Sequence, residues 1–314
     1  MRAWHFVGTG KPFERVDIPE PTAGPGKVVI DVKGAGLCHS DVGILEDEKW
    51  LALMKELPVV PGHETAGVIS EVGEGVTEWQ VGDRVAVTPM AESMGYMVNG
   101  AWEDRAEVAQ EGLIRMPEGV TFAQAAAATD AGMTSVGALT TGGVKAGMKV
   151  GIIGFGGLGQ IGARVAHLRG AEVYVAEINE DVWERATEGG AVKVAKSITE
   201  FADYQLDVII DYAGFGVTTA EALQVVKWSG GGRVVQVGMG KLEATIDIYP
   251  LIIGRKELVG SQGGSIEDIE ETMKYIASGD LDPQITEIDF EEIGAGIQQL
   301  IDGTARGRLV ATMD

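Results

Sequence analysis

Three residues from separate stretches of the sequence have the chemistry to bind one metal ion together. Cys38, the only cysteine in the chain, offers a thiolate, His63 a neutral imidazole and Asp130 a carboxylate. A catalytic zinc takes three protein ligands and keeps a fourth position open. Because the thiolate and the carboxylate balance the charge of Zn²⁺, the three residues predict a neutral zinc site that keeps its Lewis acidity.

Each of these residues also has an ordinary structural explanation. A lone Cys is often a small buried hydrophobe, and Asp130 could simply begin a helix, where Asp is favoured. Asp41 and Glu64 flank two of the predicted ligands and could orient them, or they could be ordinary loop acids. The zinc hypothesis therefore gains its weight from the rest of the chain.

A glycine-rich segment in the middle of the chain predicts a dinucleotide site. Gly154-Phe155-Gly156-Gly157-Leu158-Gly159 fits G-x-G-x-x-G, follows a predicted strand and opens a predicted helix, as pyrophosphate binding at a helix N-terminus requires. Glu177 closes the next predicted strand, where a carboxylate accepts hydrogen bonds from ribose hydroxyls and repels a 2′-phosphate. No Arg or Lys follows it immediately, so NAD is favoured over NADP. The alternative is a glycine-rich turn with a chance acidic residue.

The predicted elements that position these residues fall into two groups. The first part, 1–115, reads as short strands between Gly and Pro turns, which is typical of a compact β-barrel-like domain. After residue 121, apolar strands alternate with helices, which predicts a parallel, doubly wound sheet and an α/β fold. Close packing of the two parts would leave a cleft between them. The predicted strands are 27–33, 67–73, 82–87, 149–153, 173–176, 207–211 and 233–237, and the later helices are 179–186, 220–228, 265–279 and 289–303.

Length and charge narrow the classes of function. The 314 residues suit two domains, and 47 acidic against 25 basic residues give a net charge of -22. This charge argues against nucleic acid and anionic membranes as partners. The sequence shows no apolar h-region at its N-terminus, no membrane-length apolar run and no second cysteine for a disulfide. We therefore expect a cytoplasmic protein.

With these motifs in hand, the sequence resembles the zinc-containing alcohol dehydrogenases of the medium-chain dehydrogenase/reductase family. Gly36-Leu37-Cys38-His39-Ser40-Asp41 and Pro61-Gly62-His63-Glu64 are similar to the first two zinc-ligand motifs of the family. Gly154–Gly159 resembles its cofactor loop, and Gly307-Arg308-Leu309-Val310 resembles its C-terminal segment. The motifs occur in the family's order over essentially the whole chain.

The resemblance implies an architecture and an activity. Residues 1–131 and 262–314 would form a GroES-like, β-rich catalytic domain, and residues 132–261 an inserted Rossmann domain. One catalytic zinc and NAD(H) would serve the reversible oxidation of a small alcohol, primary or secondary and apolar, to an aldehyde or ketone. The family commonly forms dimers or tetramers, so a homo-oligomer is expected.

The resemblance also implies roles for single residues. Ser40 would take the alcohol proton and Thr134 would touch the nicotinamide. The backbone of Val237-Gly238-Met239 would meet the carboxamide, and His39 and Arg308 would lie near the pyrophosphate.

Three departures from the family pattern affect these expectations. Many members have Cys where this chain has Asp130, and many carry four closely spaced Cys for a structural zinc. No Cys lies between Val87 and Trp102, so that second zinc and its lobe are expected to be absent. Many members complete a proton relay with a His at the position of Gly43, so the route of the proton stays open.

Alternatives to this function remain at the level of sequence. A polyol dehydrogenase or a quinone reductase would keep the fold, and a non-catalytic dinucleotide-binding sensor would keep only the cofactor loop. The intact ligand set disfavours the sensor. The apolar stretch at Trp50, Leu51, Leu53 and Met54 could shape a pocket for a hydrophobic alcohol or belong to a core or an interface.

Overall fold

The computed structural model describes residues 1–313, and the chain divides into two units. The first comprises Met1–Asp130 and Met273–Asp314, and the second comprises Ala131–Thr272. The boundaries expected from the sequence lie at residues 131/132 and 261/262. In the structure the second boundary lies further along the chain, between Thr272 and Met273.

The described strands and helices are as follows in chain order. The strands are β1 Arg2–His5, β2 Glu14–Asp17, β3 Lys27–Leu37, β4 Thr65–Val72, β5 Arg84–Val87, β6 Arg105–Ala109, β7 Leu113–Arg115, β8 Lys149–Ile153, β9 Glu172–Ala176, β10 Ala191–Ala195, β11 Val208–Asp211, β12 Arg233–Gln236, β13 Glu257–Gly260, β14 Ile285–Asp289 and β15 Arg308–Thr312. The helices are α1 His39–Glu46, α2 Phe122–Ala127, α3 Met133–Gly142, α4 Gly159–Leu168, α5 Trp183–Glu188, α6 Val217–Val225, α7 Ile248–Ile253, α8 Ile266–Ala277 and α9 Ile293–Ile301. Within residues 1–313, none of these helices combines the length and apolar character needed to cross a bilayer.

The first unit is built on a mostly antiparallel sheet whose central strand is β3. The sheet runs β14-β15-β3-β4-β5-β7, β6 also pairs with β3, and β1 and β2 form a separate hairpin. The apolar side chains of β3, from Val28 to Leu37, are buried and form one core with Trp102 and the inner face of α9. The β-rich, GroES-like unit predicted from the sequence is confirmed.

The second unit is a parallel sheet in the order β10-β9-β8-β11-β12-β13. Its inner strands are runs of buried Val and Ile without polar alternation, as strands covered on both faces require. The chain moves outward from β8 in one direction and then returns to start again at β11. This reversal places a switch point beside the carboxyl end of β8, where ligands bind in such sheets. The predicted doubly wound sheet is confirmed.

One predicted helix is displaced along the chain. The apolar pattern predicts residues 220–228, whereas α6 spans Val217–Val225. The chain leaves the helix at Val226, which has extended backbone angles, and the Lys227 backbone N–H donates to the carbonyl of Leu206 at 2.9 Å. This contact with a distant segment ends the helix, and local spacing does not encode it.

Candidate metal centre and cofactor loop

Cys38 lies where the long strand β3 gives way to helix α1. It is the N-cap of α1 and has extended backbone angles. The Asp41 carboxylate accepts a 2.8 Å hydrogen bond from the Cys38 backbone N–H, as in the reciprocal half of a capping box. This local cap fixes the backbone from which the thiol projects.

His63 is held by a tight turn just before β4. Gly62 has a φ of +94°, and a Cβ at Gly62 would collide with the indole of Trp102. The turn therefore requires glycine. The His63 side chain that follows is only 5% exposed, so its ring is aimed inward rather than into solvent.

The two ring nitrogens of His63 face different partners. Nε2 lies 3.7 Å from a carboxylate oxygen of Asp130 and 3.4 Å from the hydroxyl of Ser40. Nδ1 lies 3.5 Å from a carboxylate oxygen of Asp41 and has no hydrogen-bond partner within residues 1–313. A ligating His turns its other nitrogen toward a carboxylate in this way, so Nε2 is the nitrogen placed to bind a metal.

Asp130 lies on a π-helical turn, Ala128–Gly132, between α2 and α3. The neighbouring Thr129 hydroxyl donates to the carbonyl of Ala126 at 2.7 Å and accepts from the backbone N–H of Thr65 at 3.2 Å. These bonds tie the turn to the start of β4, close to His63 in the chain. Single π turns often occur at functional sites, and this one aims a carboxylate at the imidazole.

The three predicted ligands fit a zinc ion. One ligand atom from each of Cys38, His63 and Asp130 lies within 4.8 Å of the other two. Thiolate, imidazole and carboxylate are the donors that zinc takes in proteins, and a set of three leaves a position open. The sequence placed these residues in three distant stretches, and the structure brings them together.

Glu64 and Arg308 form a buried ion pair behind this cluster. Arg308, the first residue of β15, donates through Nε and Nη2 to both oxygens of the Glu64 carboxylate, the Nε bond being 2.9 Å. Its Nη2 also donates to Asp130 at 2.8 Å. A Cβ at Gly36 would collide with the Glu64 carboxylate, so this glycine leaves room for the pair. Arg308 thus holds Asp130, and its place near the pyrophosphate, which the resemblance implied, stays a prediction.

The charged neighbours shift the titration of the ligands. Burial raises the pKa of the Cys38 thiol, but the positive charge of Arg308 and the hydrogen bond with His63 outweigh it and leave the pKa below its usual value. Burial lowers the pKa of His63, but Tyr96 and Asp41 more than offset it, so that this pKa lies well above its usual value. A metal ion would therefore compete with a proton on His63.

Tyr96 is a site residue that the sequence did not reveal. Its ring centroid lies 5.5 Å from that of His63, and burial raises the pKa of Tyr96. Tyr96 occurs in the loop between β5 and β6. No spacing within that loop points to His63.

Trp50 occupies the space beside Gly43, the position at which many family members have the relay His. A Cβ at Gly43 would lie 2.8 Å from the indole of Trp50, so a His could occupy this position only if Trp50 moved. Trp50 packs against the core of the first unit. Ser40 lies beside His63, whereas His39 is exposed.

The glycine-rich segment of the second unit has the geometry of a phosphate loop. Gly154 follows β8 directly with a φ of +85°, and α4 begins at Gly159. A Cβ at Gly156 would meet nothing within 4 Å, so the backbone there is open to a ligand. Phe155 is buried, whereas Gly157 and Leu158 are partly exposed. The loop lies at the switch point of the sheet.

Glu177 closes the loop from the end of β9. Its carboxylate accepts hydrogen bonds from the backbone N–H groups of Phe155, at 2.6 Å, and Asn179, at 2.8 Å. The acid therefore already touches the glycine-rich segment through Phe155. Ile178 beside it is 83% exposed, and the basic side chain of Lys196, which follows β10, pairs with Glu180 at 2.6 Å.

Thr134 and Val237–Met239 are the other predicted cofactor residues that belong to the second unit. Val237 and Gly238 follow β12, and both backbone N–H groups donate to the carbonyl of Asp211, at 3.1 and 2.9 Å. Met239 is 59% exposed, and Thr134 lies in the first turn of α3. The structure thus gathers Gly154–Gly159, Glu177 and Val237–Met239 at the carboxyl ends of β8, β9 and β12.

Comparison with known proteins agrees with both halves of this picture. Residues 24–136 match the family described as alcohol dehydrogenase GroES-like domain, and residues 157–278 match zinc-binding dehydrogenase. Together the two matches cover most of the chain.

Individual relatives extend the match over the full length. The alcohol dehydrogenase of Geobacillus stearothermophilus is 27% identical over 97% of both chains. The NADP-dependent alcohol dehydrogenase C 1 of Mycolicibacterium smegmatis is 28% identical over 99% of this chain and 97% of that one. The acetophenone reductase of Geotrichum candidum, solved in complex with NAD, is 27% identical with a TM-score of 0.88, over 99% of this chain and 97% of that one.

Proposed function

This chain belongs to the zinc-containing alcohol dehydrogenases of the medium-chain dehydrogenase/reductase family, and on this basis we propose that Cys38, His63 and Asp130 hold its catalytic zinc. The observation that carries the proposal is the approach of their three ligand atoms to within 4.8 Å of one another. The proposed reaction is the reversible transfer of a hydride between a small alcohol, primary or secondary, and NAD.

The cofactors supply chemistry that side chains lack. Held by Cys38, His63 and Asp130, a zinc ion would supply a Lewis acid for the alcohol oxygen, and NAD at the glycine-rich loop would supply a hydride acceptor. Around them the chain's own residues do the positioning. Asp41 faces Nδ1 of His63 and leaves Nε2 for the metal, and Arg308, neutralised by Glu64, fixes the Asp130 carboxylate.

Ser40 is the proposed proton acceptor for the alcohol. Its hydroxyl lies 3.4 Å from Nε2 of His63, which puts it beside the ligand cluster. Since Trp50 occupies the space next to Gly43, no side chain at position 43 continues the route. The proton leaves Ser40 by another neighbour or by water.

A metal assay combined with a substrate panel tests the proposed function. We expect about one zinc per chain and NADH formation with several apolar primary or secondary alcohols, with carbonyl reduction in the reverse direction. Turnover of polyols alone would favour the polyol dehydrogenase alternative. Absence of zinc together with absence of turnover for any alcohol or carbonyl would refute the assignment.

We propose that the catalytic zinc is the only zinc. A structural zinc in this family is held by closely spaced cysteines, and the chain has no cysteine besides Cys38. A single cysteine also leaves no intramolecular disulfide, which favours a reducing compartment such as the cytoplasm.

Glu177 is the proposed determinant of NAD over NADP. Replacing Glu177 by Ala removes the carboxylate that repels a 2′-phosphate, so the ratio of kcat/KM for NAD to that for NADP should fall about tenfold, equivalent to about 1.4 kcal/mol. Glu188→Ala, which removes an exposed acid of the same unit, is the matched control and should leave the ratio unchanged. Equal ratios in all three proteins would show that another group reads the ribose.

We propose that the protein forms a dimer through an edge of the parallel sheet. Strand β13 is the last strand on its side of the sheet, and such an edge presents unpaired backbone groups. The preceding helix α7 carries Ile248, Tyr249, Ile252 and Ile253, which are between 56% and 68% exposed. In a two-fold dimer the same surface on both copies would cover this apolar helix.

A charge placed on α7 tests the dimer. Ile252→Glu should shift the protein from dimer to monomer in light scattering, because two carboxylates would be desolvated across a symmetric interface. Val192→Glu is the matched control, since Val192 is 60% exposed on β10, at the opposite edge of the same sheet. A wild-type monomer, or the same loss in both variants, would count against this interface.

A further inference from the structure

The first unit contains a cavity that has no part in the proposed reaction. Its volume is about 470 Å³, and the residues lining it include His5, Lys27, Asn99, Glu103 and Glu107. None of the predicted metal or cofactor residues lines it. The volume falls within the range of about 300–1,000 Å³ that is usual for small-molecule sites.

Glu103 is the residue that marks this cavity as a site. It is only 2% exposed, and its Oε2 has no hydrogen-bond partner within residues 1–313. Its backbone is fixed by a β-bridge to Ala3. A buried carboxyl group without a partner is unfavourable, so a ligand that supplies the missing partner would gain from it.

The other carboxyl group that lines the cavity, Glu107, is already paired. Glu107 accepts from the backbone N–H of Gly24 at 3.0 Å and lies 3.5 Å from Lys27. Lys27 also pairs with Glu92 at 3.1 Å. Of the two carboxyl groups that line the cavity, Glu103 is therefore the one without a cationic partner.

We propose that this cavity binds a small organic monocation, of guanidinium or ammonium type, whose charge pairs with the carboxylate of Glu103. Ile18, Pro58 and Val98 also line the cavity and offer contacts for the carbon part of the ligand. A divalent ion is disfavoured, since Ca²⁺ requires six to eight oxygen ligands. An anion is disfavoured by the two carboxylates.

The protonation of Glu103 supports this assignment. Burial, followed by the charge of Asp104, holds the pKa of Glu103 well above its usual value. The carboxyl group of Glu103 therefore keeps its proton at a pH where an ordinary Glu is ionised. A cation that pairs with the ionised form must displace this proton, so binding should release a proton and strengthen as the pH rises.

Binding of methylguanidinium to the zinc-loaded enzyme tests the proposal. This probe is always charged, pairs with carboxylates through two hydrogen bonds, and has no free lone pair for zinc. Ligand-observed NMR should show binding to the wild type and a loss of at least tenfold in affinity for Glu103→Gln. N-methylurea, which has the same shape without the charge, should bind at least tenfold more weakly than methylguanidinium.

Controls separate this site from the metal centre. Glu118→Gln removes an exposed acid that does not line the cavity and should bind like the wild type. Glu103→Gln should keep its zinc and its dehydrogenase activity, so failure here leaves the proposed function untouched. A melting curve for each variant reports whether it is folded.

Calorimetry in two buffers of different ionisation enthalpy provides a second measurement. Wild type should release a proton on binding, and Glu103→Gln should release less. His5, Lys27, Glu107 and the Met1 amino group also face the cavity, and they are present in both proteins, so the difference reports Glu103.

Three outcomes would overturn the proposal. The first is equal binding of methylguanidinium and N-methylurea, and the second is equal affinity of wild type and Glu103→Gln, including no binding by either. The third is displacement of the probe by sodium or potassium ions at equal concentration, which would assign the cavity to an inorganic ion.

Discussion

The Cys38→Ser variant is expected to contain almost no zinc and to lose nearly all dehydrogenase activity while its affinity for NAD stays unchanged. A serine hydroxyl is not ionised at neutral pH, whereas the thiolate is the form of cysteine that binds metals. Losing the Lewis acid removes several kcal/mol of transition-state stabilisation, which corresponds to a fall in kcat/KM of at least about 10³-fold. Gly154–Gly159 and Glu177 belong to the other unit, so the cofactor loop should be intact.

Elemental analysis, steady-state kinetics and NADH fluorescence together measure this outcome. Wild type stripped of metal by a chelator is the matched control and should show the same loss of activity and the same retained cofactor affinity. Zinc should restore the stripped wild type but not the variant. A variant that retains its zinc would remove Cys38 from the ligand set, and a variant that loses zinc and NAD together would point to unfolding.

The parts of the site that the sequence predicts are those written locally in the chain. Cys38 and Asp41 are three residues apart and joined by a cap. Gly154 follows directly on a strand whose predicted bounds, 149–153, are those of β8. In both cases a short apolar run ends at a residue with a recognisable backbone role. Cys38 caps a helix, and Gly154 adopts a positive φ.

The parts that the sequence does not predict are contacts between distant segments. Arg308 and Glu64 are separated by 244 positions, and nothing around either residue indicates the other. The family resemblance predicts a cofactor role for Arg308, which stays a prediction, and the motif carries no record of the ion pair with Glu64. Tyr96 beside His63 is a similar case.

Two outer elements of the second unit, α7 and β13, were also not predicted from the local sequence pattern. Helix α7 contains Pro250, which weakens a helical pattern, although proline is tolerated in the first turn of a helix. Strand β13 is largely exposed and so lacks the continuous apolar run that identifies the inner strands. In the proposed dimer, the exposed apolar side chains of α7 would be buried by the second copy. Sequence patterns of a single chain do not describe such a surface.

The Arg308→Met variant is expected to lower the free energy of unfolding of the first unit by about 3–5 kcal/mol, because it strands a buried carboxylate. The side chains of Arg308 and Glu64 are 6% and 0% exposed. The variant also loses the bond to Asp130, and removing such a support weakens metal binding by about 10–100-fold. Calorimetric melting and zinc titration against a chelator measure the two effects.

A double variant and a surface variant make the test of Arg308 specific. Glu64→Gln together with Arg308→Met removes the stranded charge and should be more stable than Arg308→Met alone. Arg105→Met breaks a pair with Asp31 that is partly exposed, so it should change stability by at most about 1 kcal/mol. If Arg308→Met instead melts like the wild type, keeps its zinc and binds NAD more weakly, the cofactor role implied by the family resemblance is correct, and the ion pair with Glu64 contributes little to the fold.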